Sequence, residues 1–167
     1  MKLIIHDLPE DMAKTLFSHH SSDYKIISGC ADITPCMGCF GCWIKSPAKC
    51  CIPDKYHNMG KFLASSEEFI IISRCIYGCY SPEVKVLLDR SISYLLPFFK
   101  VRNGMVHHKL RYKTSFSLTT YFYGEDLTPN EISTAKQLVQ SNACNLNVSN
   151  YETIFLKNPL ELGGEFR

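Results

Sequence analysis

The sequence predicts an α/β fold: a doubly wound sheet of five parallel strands, order 2-1-3-4-5, with helices on both faces. Three observations carry this. Short apolar runs alternate with helix-like stretches along the chain, and the pattern ends on a strand, as expected when crossover helices link parallel strands. The run Phe69-Ile70-Ile71-Ile72-Ser73 is continuously apolar up to its last residue, which suits a central strand covered on both faces. Pro82 and Pro129 stand where a first helical turn needs no backbone N–H.

The elements follow in order. Lys2 to His6 reads as a buried strand around Leu3-Ile4-Ile5. Pro9 suits a helix start, and Asp11 to Ser18 makes about two turns with Met12, Leu16 and Phe17 on one side. His19 to Asp23 is a polar turn, and Tyr24 to Ser28 the second strand. A cysteine-rich lid, 36–54, follows. Asp54 is expected to cap a helix from Lys55 to Ser66, with Met59, Phe62 and Leu63 inward. After the Phe69 strand and a loop from Arg74 to Ser81, the stripe Val84, Leu87, Leu88, Ile92, Leu95 predicts a helix from Glu83 to Leu96, stopped at Pro97. Residues 97–114 form an excursion of low periodicity. Phe116 to Tyr123 is the fourth sheet strand. Thr128 with Glu131 forms a capping box for a helix to about Asn145. Tyr151 to Leu156 is the last strand, and the tail after Asn158 is read as surface-bound or loose.

The chain has 167 residues, 46% of them hydrophobic and 20% charged, enough for a single domain over 1–167. A net charge of +2 is too small to argue for nucleic acid or a membrane surface. No apolar stretch approaches the about 18 residues of a bilayer span. Met1 to Asp7 lacks the pattern of a signal peptide. Nine cysteines without one are expected of a reducing, cytoplasmic setting.

Sheets of this kind bind ligands at the carboxyl ends of their strands. That edge is lined by the loops Asp7 to Glu10, Arg74 to Ser81 and Gly124 to Thr128, with the cysteine lid expected to lean over it. Cys36, Cys39, Cys42 and Cys50 are open to three readings: packing residues, ligands of a [4Fe–4S] cluster or zinc, or disulfide chemistry. Either Cys50 or Cys51 could complete the set. Trp43, the single tryptophan, is a lid anchor or a wall of a ligand pocket. From Arg90 to Gly124 there is no acidic residue, while Arg90, Lys100, Arg102, Lys109, Arg111 and Lys113 are basic. This stretch is a solvated face, an anion-binding arm, or a dimer arm with Phe98, Phe99, Met105 and Val106 as contacts.

Two motifs resemble the flavodoxin-like NADPH-dependent FMN reductase superfamily. One is Cys-x-Gly-Cys-Phe-x-Cys-Trp at 36–43 with Cys50 and Asp54. The other is Tyr77-Gly78-x-Tyr80-Ser81 with Val84-Lys85 and Leu88-Asp89-Arg90. The resemblance implies a flavodoxin-like sheet, a homodimer, FMN as cofactor, NAD(P)H as electron donor and a small-molecule electron acceptor. It places Ser73, Arg74, Cys75, Ile76, Tyr77 and Gly78 along the flavin ring, with Tyr123, Gly124 and Glu125 closing the other side and Phe40 and Trp43 on the lid. The cysteine spacing also resembles iron–sulfur flavoproteins. No catalytic residue is assigned. The chain departs from the family after its first strand, where a loop rich in Gly, Ser and Thr holds the FMN phosphate. Here the residues are His6-Asp7-Leu8-Pro9-Glu10-Asp11: three carboxylates, no hydroxyl, no glycine and one N–H fewer. A flavodoxin-fold binding or scaffold protein without FMN is the second expectation.

Overall fold

The computed structural model describes residues 1–18, 22–30, 32–102, 104–148, 150–163 and 166. Strands β1 (Lys2–His6), β2 (Tyr24–Ser28), β3 (Glu68–Arg74), β6 (Ser117–Tyr123) and β7 (Tyr151–Leu156) form one parallel sheet in the order β2-β1-β3-β6-β7. This is the predicted 2-1-3-4-5 arrangement. In register, Ile5 of β1 lies beside Ile27 and Ile71, and Ile72 of β3 beside Tyr121. Leu3, Ile5, Phe69, Ile71, Leu118 and Phe122 pack into one layer of core; Ile4, Ile70, Ile72 and Tyr121 pack into the other. The alternation follows from the pleat, which turns successive side chains to opposite faces.

Helices α1 (Glu10–Leu16), α2 (Gly41–Ile44), α3 (Met59–Ala64), α4 (Pro82–Arg90) and α5 (Pro129–Leu146) complete the layers. The capping box of α5 is present: Thr128 Oγ1 accepts from the Glu131 N–H, and the Glu131 carboxylate accepts from the Thr128 N–H. Ser81 caps α4 by accepting from the Val84 N–H.

Three expectations change. The helix expected over Lys55 to Ser66 is only α3, because Asp54 is not its cap. Both Asp54 oxygens bind the Arg90 guanidinium, at 2.7 and 2.9 Å, and the chain turns through residues 54–58 before Asn58 opens the helix. The helix expected to reach Leu96 stops at Arg90, where the Ser91 hydroxyl and N–H both take the Leu88 carbonyl. A 3-10 turn over Ile92–Tyr94 follows. The excursion is then an ordered antiparallel hairpin, β4 (Leu95–Arg102) with β5 (Met105–Leu110). Pro97 lies inside β4, where the register slips between Leu95 and Phe99; a residue without an N–H is tolerated at such an irregularity.

The tail is docked rather than loose. Asn158 and Glu161 make a second capping box, Leu162 and Phe166 are buried, and Phe166 packs against Phe17, Tyr24 and Tyr121. Of the predicted turn after α1, residues 19–21 lie outside the described residues.

Candidate functional site

The carboxyl edge of the sheet is organised by Asp7, the first residue after β1. It is buried, and its carboxylate faces the ends of β3 and β6. Oδ2 accepts the Arg74 N–H at 2.8 Å, and Oδ1 accepts the Tyr123 hydroxyl at 3.0 Å. Burial pushes the Asp7 carboxyl above its ordinary range, against bonds from Ser81, Arg74 and Tyr123 that favour the anion. Burial and the adjacent Asp7 charge push the Tyr123 phenol well above its ordinary value. The Cys30 thiol donates to the Asp7 carbonyl, 2.9 Å away, and burial raises it too. His6 is buried, its Nδ1 accepting the Leu8 N–H at 3.1 Å, and burial lowers its pKa to about 4. The imidazole is therefore neutral at pH 7.

Beside this network stands the loop after β3. The Cys75 N–H binds the Tyr123 carbonyl, and Ile76 and Cys79 exchange both backbone hydrogen bonds. Tyr77 and Gly78, at φ 52° and 79°, make the two-residue turn between them, the pattern of a type I′ hairpin. The Tyr77 side chain is 86% exposed, while Gly78 packs on α5: a Cβ there would stand 2.6 Å from Thr134 Cβ. Ser73 is fully buried and braces the loop, donating to the Arg74 carbonyl and accepting the Ser81 N–H. Burial raises the Cys75 thiol. Gly124 donates to the Leu156 carbonyl, and Glu125 is exposed. Of the residues assigned to a flavin ring, Arg74, Tyr77 and Glu125 are solvent-facing, Ile76, Tyr123 and Gly124 half-buried, and Ser73, Cys75 and Gly78 buried.

Phe40 and Trp43 are not held at this edge. The lid runs down α4 to its C-terminal end, about 13 Å of helix away. The cause is Arg90, whose side chain is fully buried and binds both Asp54 oxygens and, at 2.7 Å, the Thr34 carbonyl. Trp43 stacks on Phe40 with centroids 5.3 Å apart and donates its indole N–H to the Leu95 carbonyl at 3.0 Å, and its ring meets His108. It pins the lid to the hairpin. The basic hairpin itself lies at the amino edge, tied to the C-terminal end of α5 by Arg102 to Asn147 and Cys144, and by His107 to Asn145. It is therefore remote from the place where a phosphate loop would stand in the same chain.

Among the described residues, no group of three or more His, Cys, Asp or Glu is arranged to hold a metal ion. Cys39 Sγ instead lies 3.3 Å from Cys51 Sγ. The Gly41 N–H and then Cys51 lower the Cys39 thiol, and Cys39 raises Cys51. Burial raises Cys42. A cleft of about 270 Å³ opens beside the pair.

An FMN phosphate does not fit the loop after β1. Pro9 at the start of α1 brings no N–H, Glu10 and Asp11 occupy its first turn, and the buried Asp7 carboxylate already takes the Arg74 N–H. A dianion placed there would meet like charge in a site of low dielectric. On the Arg74–Gly78 turn and the Tyr123–Glu125 bend, Arg74, Tyr77 and Glu125 are exposed. Residue types alone pointed to the acids; the internal role of Asp7 and the pairing of Cys39 with Cys51 are visible only in three dimensions.

No family model and no curated protein matches the sequence. Solved structures do. An azoreductase from Bacillus anthracis str. Sterne superposes with a TM-score of 0.58 at 12% identity, over 99% of this chain and 92% of that one. An FMN-dependent NADH-azoreductase from Bacillus anthracis str. Ames Ancestor, in complex with FMN, gives 0.54 at 12% identity, over 97% and 91%. A flavoenzyme NAD(P)H:(acceptor) oxidoreductase from Paracoccus denitrificans gives 0.51 at 9% identity, over 95% and 75%. At such identities the likeness shows the fold. No helix among the described residues is long and apolar enough to cross a membrane.

Proposed function

We propose that this chain is an NAD(P)H-linked oxidoreductase that uses flavin through its ring and does not grip its phosphate. The flavin is then an exchangeable partner of the protein, passing electrons to a small-molecule acceptor. The observation that carries the reading is the carboxyl edge itself. Arg74, Tyr77 and Glu125 are exposed on the turn and bend assigned to the ring, while the buried Asp7, bonded to Arg74 and Tyr123, stands with Glu10 and Asp11 in the loop where a phosphate would bind. The neighbours that bind FMN or act with NAD(P)H share this topology. When bound, flavin supplies the hydride-accepting and electron-donating chemistry. The protein's own part is to offer a flat turn at Tyr77-Gly78 and a neutral polar wall at Tyr123.

The hairpin gives the proposal its quaternary side. Phe98, Phe99, Val101, Met105 and Val106 are each more than half exposed, an apolar surface that monomers seldom leave open. We take it as the contact with a second copy of the chain, to be checked by the molar mass of the purified protein in solution.

A second reading is favoured by the same Asp7: the fold works as a binding protein without flavin. The two separate in one assay. NADH or NADPH oxidation is followed with and without added FMN or riboflavin. The enzyme predicts turnover that needs either flavin and an acceptor. A folded, colourless protein with no flavin-dependent turnover supports the binding protein instead.

A further inference from the structure

We propose that Cys39 and Cys51 form a redox-active dithiol on the lid, a site for low-molecular-weight disulfides that works without flavin. The two sulfurs lie 3.3 Å apart, and both residues are exposed. A disulfide bond is about 2.05 Å long, so closure needs a movement of little more than 1 Å, within reach of small χ1 rotations. The residues flank α2, with Cys39 just before it and Cys51 after the turn that leaves it. Gly41, the first residue of α2, stands against both: a Cβ there would lie 3.5 Å from Cys39 Sγ and 3.8 Å from Cys51 Cβ.

The environment makes the two sulfurs unequal. Either sulfur can donate to the other; the Gly41 N–H and the positive charge of Lys45 fall on Cys39 and favour the anion there. Cys51 stays protonated beside it. The thiolate is the nucleophile in exchange. Cys39 therefore attacks and Cys51 resolves. The remaining lid cysteines are placed otherwise. Cys42 is buried, and Cys50 stands by the Arg90 guanidinium. The cleft of about 270 Å³ that opens on the pair is walled by Met37, Ile52, Leu88 and Ile92, room for one half of a small disulfide.

The reaction balances. Cys39 thiolate attacks one sulfur of RSSR; a new S–S bond joins Cys39 to that sulfur, the S–S bond of RSSR breaks, and the other half leaves as RS⁻. Cys51 gives up its proton and attacks Cys39 Sγ of the mixed disulfide, expelling the second RS⁻. The two cysteines lose two electrons, RSSR gains two, and the released thiolates take the protons according to pH. The closed bond fixes the entry and exit of α2 to each other and so the shape of the lid.

The test uses fully reduced protein in glutathione/oxidised-glutathione buffers of graded potential, quenched in acid, alkylated and mapped by mass spectrometry. Fragmentation between Cys50 and Cys51 assigns the bond in the wild-type chain, and Cys50→Ser repeats the assignment. The expected product is Cys39–Cys51. Cys51→Ser stops with glutathione on Cys39, and Cys39→Ser releases glutathione at least about tenfold more slowly. In the reduced wild type, Cys39 alkylates faster than Cys36, a folded-state readout that needs no variant. A bond formed first between other cysteines, a persistent wild-type adduct, or no oxidation across the series overturns the proposal. None of these outcomes depends on flavin, so the failure of one reading does not carry the other with it.

Discussion

Replacing Asp7 separates its two roles, hydrogen-bond acceptor and buried charge. Asp7→Ala removes the acceptor of the Arg74 N–H and of the Tyr123 hydroxyl. A buried donor left without a partner costs about 1–3 kcal/mol. The Arg74 amide bears that cost in full. Tyr123 is only half-buried, and its hydroxyl can turn towards water. The expected loss is about 2–3 kcal/mol. Asp7→Asn keeps an oxygen for the Arg74 amide and removes a charge whose burial opposes ionisation, so it stays within about 1 kcal/mol of wild type. The sign with pH follows. Because burial raises the Asp7 carboxyl, the unfolded chain ionises first as pH rises. Wild type then loses stability relative to Asp7→Asn between the ordinary carboxylate value, about 4, and the raised one. Urea unfolding by far-UV circular dichroism at several pH values measures both variants. Equal losses in Ala and Asn, or an Asn variant that gains nothing on wild type as pH rises, would refute the account of Asp7.

Other variants probe the supports of the two sites. His6 titrates near 4 in the fold, so below pH 6.5 the unfolded chain takes a proton that the folded one refuses; stability falls by about 1.4 kcal/mol per pH unit down to that value, and His6→Asn flattens the slope. Arg90→Met leaves the Asp54 carboxylate and Thr34 carbonyl without their partner and is expected to cost about 2–4 kcal/mol in urea titrations. Arg90 holds the Asp54 carboxyl below its ordinary range, so the pair's contribution is present above that range and is lost as pH falls through the lowered value; in Arg90→Met this acid limb disappears. Gly78→Ala sets a Cβ against Thr134 at φ 79° and is expected to destabilise by about 2 kcal/mol or more, with proteolysis beginning in the 74–80 loop.

The sheet was legible because its strands are apolar runs of the right length and its later helices begin on signals with a mechanism. Thr128, Pro129 and Glu131 specify the start of α5 almost alone. The overrun of α4 has a physical origin. Leu88, Ile92 and Leu95 keep helical spacing, yet the chain leaves the helix at Ser91 and buries Leu95 from an extended strand. The hairpin carried its own signal, the Asn103-Gly104 pair between alternating residues, masked by Pro97 and the density of charge. The lid's path was not legible, because nothing local to Cys36–Asp54 says that Arg90, thirty-six residues beyond Asp54, will draw it along α4. Nor does cysteine spacing say which sulfurs meet: Cys36, Cys39, Cys42 and Cys50 left packing, a metal site and disulfide chemistry open, while the fold pairs Cys39 with Cys51.

The central claim is that Asp7 fills the place of a phosphate anchor while the ring-facing edge stays open. Binding of FMN and riboflavin, titrated in parallel by flavin fluorescence, tests it most directly. The account predicts dissociation constants within about threefold of each other, since Asp7, Glu10 and Asp11 set like charge where the phosphate would lie. An anchored phosphate, with two or more charge-assisted bonds, would favour FMN by about a hundredfold or more, and that result would contradict it.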